Sequence, residues 1–268
     1  MREDEEDAFW AIELEGGSRA LVKDESDTAE EDAAGLATRR AHLYRIPNHE
    51  DGSTIAVRLA PLPMVDGIWS PVGADIWFGS AVLTALLLRR RPSKDVVLEL
   101  GCGATALAGI AAGLSCGANK VYLTDNEPSV LRQLRTNVSS VVQQHDGLES
   151  RFEVRCLDWA DESLEGIEDV ESIDHIIGAE LVYTPEGGKA CVGCVDRLLE
   201  RFPQATVTIV QVTDREGWNE VFVPAMEVKY RVRQEVVPAD CHDEARRMVE
   251  HGGSLDRFDL GVCYISNR

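Results

Sequence analysis

The sequence predicts an α/β fold in which a mostly parallel, twisted sheet carries helices on both faces. From Asp95 onward, short apolar runs alternate with longer amphipathic segments, and strands that alternate with helices at such intervals form sheets covered on both sides. Residues 96–100, 120–124, 151–156, 175–179 and 205–212 read as buried strands. Between them, residues 105–114 read as a helix. Residues 128–142 read as a second one, because Val130, Leu134, Val138 and Val142 recur at fours and give it one apolar face. Residues 188–201 predict a third. After Gly217 one further helix is expected, then strands over residues 228–237 and 258–265.

Upstream, residues 79–90 predict a helix that Pro92 stops, with Arg89, Arg90 and Arg91 suiting the negative end of its dipole. Residues 1–60 read as an acidic, β-rich N-terminal extension to a main domain over residues 61–268. Within the extension, Gly16-Gly17 predicts a hairpin turn, residues 24–32 a mobile loop and residues 53–59 a strand.

Composition narrows the partners. A chain of 268 residues with 44% hydrophobic content buries a full core. A formal charge of −20 repels phosphates, so nucleic acid and anionic membranes are disfavoured and a basic partner is favoured. Seven cysteines, odd in number and scattered, suit reduced thiols in the cytoplasm or nucleus. The acidic start Glu3-Asp4-Glu5-Glu6-Asp7 is unlike a signal or transit peptide. The longest apolar runs, residues 81–88 and 104–114, fall short of the roughly 20 residues a membrane span needs.

The chemistry gathers at strand ends, where open α/β sheets bind ligands. The first strand of the main domain ends Glu99-Leu100-Gly101-Cys102-Gly103, and its glycines let the backbone approach a ligand closely. The second ends at Asp125, 24 residues after Gly101, a spacing that lets a carboxylate accept bonds from both ribose hydroxyls. Asp158 and Trp159 follow the third, offering an acceptor for an adenine amino group and an aromatic face for its ring. Together the three ends describe a nucleoside pocket. The fourth strand runs into Glu180-Leu181-Val182-Tyr183, an acid and a phenol at the reactive end of such a pocket.

With these residues in place, the chain resembles the methyltransferase-like class-21 family of protein methyltransferases, relatives of the seven-strand lysine methyltransferases. The resemblance rests on Ile76-Trp77-Phe78-Gly79, Leu98-Glu99-Leu100-Gly101-Cys102-Gly103, Leu123-Thr124-Asp125, Leu157-Asp158-Trp159 and Glu180-Leu181-Val182-Tyr183. It is close over residues 69–183 and loose elsewhere. It implies a Rossmann-like sheet of seven strands and S-adenosylmethionine held by Trp77, Glu99, Gly101, Gly103, Asp125 and Trp159. Glu180 and Tyr183 would face a substrate amine, a protein lysine first, with arginine, histidine or a small-molecule amine as alternatives. No metal is required, because the methyl group arrives already activated.

Two departures stand out. The family's third glycine, two residues after Gly103, is replaced by Thr105. Its usual Asp-x-x-Tyr reads Glu180-x-x-Tyr183 here. They keep open a methyltransferase-like binding or assembly protein that has lost turnover. A nicotinamide-dependent oxidoreductase also fits Gly101-x-Gly103-x-x-Ala106, but Glu99 would crowd a pyrophosphate with negative charge. A zinc site from Cys191, Cys194, Cys241 and His242 is disfavoured because the first two fall within a helix, where their spacing makes a small apolar face.

Overall fold

The computed structural model describes residues 13–14, 18–19, 42–47, 54–62, 72–74, 76–89, 94–145, 147–248 and 259–268. The expected loop at 24–32, Trp69 and the arginine-proline stop at 90–92 lie outside them. Strands β1 (Glu13–Leu14) and β2 (Ser18–Arg19) pair antiparallel on either side of the expected glycine turn. A second hairpin joins β3 (His42–Pro47) to β4 (Thr54–Leu59), and its Ile46, Val57 and Leu59 are buried in the main core.

The large sheet holds β5 (Val96–Leu100), β6 (Lys120–Asp125), β7 (Phe152–Cys156), β8 (His175–Ala179), β9 (Thr206–Val212), β10 (Arg231–Val236) and β11 (Leu260–Ser266). Their order is β10-β11-β9-β8-β5-β6-β7, and β11 alone runs against the other six. Successive side chains enter opposite layers, as pleating requires: Val97 and Ile177 join one core, Leu98 and Ile176 the other. The first core lies under α1 (Phe78–Leu87), α2 (Leu107–Leu114), α3 (Pro128–Gln144) and α6 (Ala239–Met248). The second lies under α4 (Pro185–Arg201) and a π-helix, Gly217–Phe222, that continues into α5 (Val223–Lys229).

Three features depart from the sequence expectation. Helix α2 begins at Leu107 and not at Thr105, because Ala106 adopts the left-handed conformation with φ +45° and breaks the helical path. Helix α4 begins earlier than expected, where Thr184 Oγ1 accepts from the Gly187 amide and Pro185 fixes the first turn. The chain after Gly217 holds α6 in addition to the expected helix. Its apolar residues Cys241, Ala245 and Met248 keep a helical spacing but are few in a strongly charged segment, and packing holds it: Cys241 and Ala245 are buried, and Arg89, just beyond α1, pairs with Asp240 at 2.9 Å and Glu244 at 2.7 Å.

The π-helix depends on Gly217, where a Cβ would fall 2.1 Å from the Thr184 carbonyl oxygen, a backbone atom that cannot give way. At Gly147 (φ +81°) nothing lies within 4 Å, so a side chain there meets only backbone strain. Gly217→Ala is accordingly expected to cost at least about 2 kcal/mol, the scale of overpacking, and Gly147→Ala about 1 kcal/mol. Urea unfolding of both variants tests this, and equal losses would contradict it.

Candidate active site

The sheet has a switch point between β5 and β8: from β5 the chain moves outward through β6 and β7, and from β8 it moves the other way to β9. The crevice beyond the carboxyl ends at such a point is the usual ligand site. It forms a cavity of about 510 Å³ here, within the roughly 300–1,000 Å³ typical of small-molecule sites. Every residue read from the sequence as holding the cofactor or facing the substrate lines it: Trp77, Glu99, Gly101, Gly103, Asp125, Asp158, Trp159, Glu180 and Tyr183.

Glu99 is 2% exposed, and its carboxylate accepts from the Gly109 amide at 2.9 Å. Gly109 lies in the first turn of α2, where amides have no partner within the helix, and the N-cap residue Ala106 has no side-chain acceptor to offer. A strand carboxylate thus caps the helix from outside. A Cβ on Gly109 would sit 2.4 Å from Glu99 Oε2 and 2.3 Å from Leu123 Cδ2, so only glycine allows the contact. Burial pushes the Glu99 carboxyl up to about 8, the Gly109 bond opposing it and the charge of Asp125 adding to it.

The glycine loop leaves β5 through Gly101 and Gly103, at φ +54° and +67°. A Cβ on Gly101 would meet the Trp159 ring at 3.1 Å, and one on Gly103 would meet the Gly73 carbonyl oxygen at 3.0 Å. Asp125 closes the loop from β6, accepting from the amides of Gly103 at 3.1 Å, Asn126 at 2.9 Å and Glu127 at 3.1 Å. Its carboxyl is raised, burial outweighing those three bonds. Asp158 accepts from the Ala160 amide at 2.9 Å and remains exposed at the rim.

At the opposite end, Glu180 adopts φ +50°, a conformation non-glycine residues rarely hold outside functional or turn positions. Its carboxylate accepts from the Gly79 amide at 2.7 Å, in the first turn of α1. Burial raises this carboxyl, while the Gly79 bond and the charge of Arg215 pull it down. The Tyr183 ring meets Trp77 edge-on at 6.2 Å, and its phenol is also raised, by burial first and by Glu180 second.

The residues that hold these groups in place were not evident from motifs. Asn137 of α3 forms a two-way amide pair with Ala60, accepting at 3.0 Å and donating at 2.9 Å, and donates to Ala104 of the glycine loop at 2.8 Å. Gln211 of β9 clamps Val182 in the same way, at 3.1 and 2.9 Å. Arg197 of α4 donates to the carbonyls of Trp159 and Asp161, both at 2.9 Å. One signal was available: Asn137 and Gln211 are polar residues at core positions of otherwise apolar faces. Gly73, in the turn Val72–Ala74, receives the glycine loop through Ala104 N–H to Gly73 O at 2.8 Å.

A family described as lysine methyltransferase matches residues 62–229. The chain belongs to that family. A protein of Dictyostelium discoideum of undefined role is 26% identical over 189 residues, 61% of this chain and 52% of its own length. The chain therefore spans about half the length of that curated relative. Similar solved structures include a methyltransferase from Pyrococcus furiosus (14% identity, TM-score 0.49, covering 70% of this chain and 83% of that one). Another is the precorrin-6y C5,15-methyltransferase of Geobacter metallireducens (13% identity, TM-score 0.47, covering 77% and 94%).

Glu99 sets a pH dependence. Its carboxyl titrates near 4.5 when unfolded and near 8 when folded, so between these values the folded chain holds a proton the unfolded chain lacks. Its contribution to stability is present at low pH and lost as pH rises through 8. Glu99→Gln, which cannot ionise, is expected to match the wild type at acid pH and to exceed it above pH 8 by a margin on the order of 1 kcal/mol. Urea unfolding along a pH series measures this, and an unaltered pH profile would refute it.

Proposed function

We propose that this methyltransferase uses S-adenosylmethionine to methylate the side-chain amine of a protein lysine. The observation that carries the cofactor reading is the acidic lining of the cavity. Glu99, Asp125, Glu127, Asp158 and Glu180 line it, and among the described residues no cationic side chain does. Such a lining suits a ligand bearing an ammonium and a sulfonium and repels a pyrophosphate. The α2 N-terminus, where a dinucleotide phosphate would sit, is taken by the Glu99 carboxylate, which disfavours the nicotinamide reading. The residues fit the cofactor: bare glycine backbone for close approach, Asp125 for the ribose, Asp158 and Trp159 for the adenine. Once bound, S-adenosylmethionine would supply a methyl group already activated on sulfur.

The remaining work falls to this chain. A free lysine amine, with a pKa near 10.4, is almost wholly protonated at neutral pH, whereas the nucleophile must be neutral. Glu180 and Tyr183 offer oxygen acceptors that orient the amine's hydrogens, and such positioning supplies several kcal/mol of barrier lowering. The Glu180 carboxylate also favours the positive charge that builds on nitrogen as its new bond forms. Trp77 walls the entrance beside Tyr183. A net charge of −20 supports a basic protein substrate, and seven free cysteines support work in the reducing cytoplasm or nucleus.

The glutamate at 180 has a structural use: its carboxylate reaches the Gly79 amide and caps the first turn of α1. This favours a retained role over decay, and so favours the enzyme over a binding protein that has lost turnover.

Calorimetry is expected to show S-adenosylmethionine binding and no NAD binding, with Asp125→Ala losing about 1.5–3 kcal/mol, or one to two decades of affinity. Unchanged affinity would refute the ribose assignment. In cell extract with labelled cofactor, Glu180→Gln is expected to keep cofactor affinity while turnover falls about ten- to a thousandfold, and Tyr183→Phe to fall less. Wild-type protein that binds cofactor and labels no protein, while Glu180→Asp gains activity, would favour the non-enzymatic alternative.

A further inference from the structure

Arg215 stands behind the acceptor end of the site, on the loop that follows β9, and is not among the residues lining the cavity. Its guanidinium carbon lies over the Tyr183 ring, 5.3 Å from the centroid. Tyr183 is therefore contacted both by an indole from the head of α1 and by a cation from the β9 loop.

The backbone builds this placement in. The Arg215 carbonyl accepts from the amides of Trp218 and Asn219, each at 3.0 Å, which opens the π-helix. Gly217 presses against Thr184, the neighbour of Tyr183, and a Cβ on Gly188 of α4 would fall 2.6 Å from the Gly217 carbonyl oxygen. The segments bearing Arg215 and Tyr183 are thus pinned together a residue or two from each side chain. Trp218 and Phe222 stack at 4.6 Å beneath them and anchor the π-helix in the core.

The charges around this point are few. Glu180 faces it from the end of β8 and Tyr183 from the following loop, and both feel the Arg215 charge. Asp214 and Glu216 flank Arg215 and are exposed, and His242 of α6 packs against Phe78, next to Trp77, at 5.6 Å. A carboxylate as buried as Glu180 with one amide donor would by itself hold a bound amine as ammonium, the form that cannot attack. A cation close by counters that tendency.

We propose that Arg215 is a positioning residue of the acceptor site: stacked on Tyr183, it fixes the phenol and supplies the counter-charge to the Glu180 carboxylate. The role in catalysis rests on Glu180 and Tyr183 forming the acceptor end, as proposed above. The counter-charge itself can be tested without turnover.

The test uses the full chain as wild type, Arg215→Lys and Arg215→Met, with Arg215→Gln replacing the last if it does not fold. Carbon-13 NMR of protein labelled at the glutamate carboxyl follows Glu180, assigned by its loss in Glu180→Gln. The titration midpoint of Glu180 is expected to rise in Arg215→Met and to return toward the wild-type value in Arg215→Lys, while S-adenosylmethionine affinity by calorimetry stays near wild type. In labelled extract, turnover of Arg215→Met is expected to fall about tenfold more at pH 6.5 than at pH 9, the scale set by removing one nearby opposite charge. An unmoved Glu180 midpoint in a folded Arg215→Met protein would overturn the proposal. A raised midpoint with no methyl transfer by any variant, wild type included, would uphold the counter-charge and overturn the amine-acceptor reading instead.

Discussion

The Glu99 carboxylate accepts a hydrogen bond from the Gly109 amide, 2.9 Å away in the first turn of α2. The geometry of the site follows from this contact. The glycine loop has to leave β5, cross over the strand end and start a helix within a few residues, and a helix begun that abruptly has no local cap. Ala106, in the left-handed conformation at φ +45°, turns the chain into α2 but offers no side-chain acceptor. Glu99 supplies one from the strand itself, so loop, strand end and helix start are fastened at a single buried point. Because the carboxylate also faces the cavity, the group that stabilises the turn is the group available to a cationic ligand.

Glu180 repeats the arrangement on the next strand. It too leaves a strand end, β8, and caps the first turn of a helix that is not its neighbour in sequence, in this case α1. Two carboxylates at two adjacent strand ends therefore bind two helix N-termini across the crevice between them. Charge of this kind stays in a buried site only where amide donors, a helix dipole or a cation offset the loss of water. Among the described residues Glu99 has Gly109 alone, and its carboxyl is pushed up to about 8, whereas Glu180 has Gly79 and the field of Arg215.

Side-chain amides do the fine positioning. Asn137 copies a peptide–peptide pair onto Ala60 and reaches on to Ala104, which joins the β3–β4 hairpin to the glycine loop. Gln211 does the same for Val182, midway between Glu180 and Tyr183. Each satisfies a backbone unit that would otherwise be buried without a partner, a loss of about 1–3 kcal/mol per group. The N-terminal β-rich segment, read from sequence as an appendage, thus places Val57 and Leu59 in the main core and fixes part of the cavity wall through Ala60.

By itself the sequence determined the alternation of strands and helices from β5 to β9, the acids and glycines at the strand ends, and the identity of nine of the residues that line the cavity. These were legible because pleating and the helical repeat impose periods on apolar residues, and because a tight turn beside a ligand needs glycine whatever surrounds it. Tertiary structure alone decided which distant groups meet. That Glu180 reaches Gly79 and that Arg215 lies on Tyr183 depend on contacts between segments far apart in the chain, and even the nearer cap of α2 by Glu99 depends on how the loop with left-handed Ala106 folds back on its strand. Helix α6 was missed although Cys241, Ala245 and Met248 keep a helical spacing, because few of its residues are apolar; its place is set by Cys241 and Ala245 in the core and by Arg89, just beyond α1. No local period carries such information, because the partner of a buried polar group is chosen by the packing of the sheet.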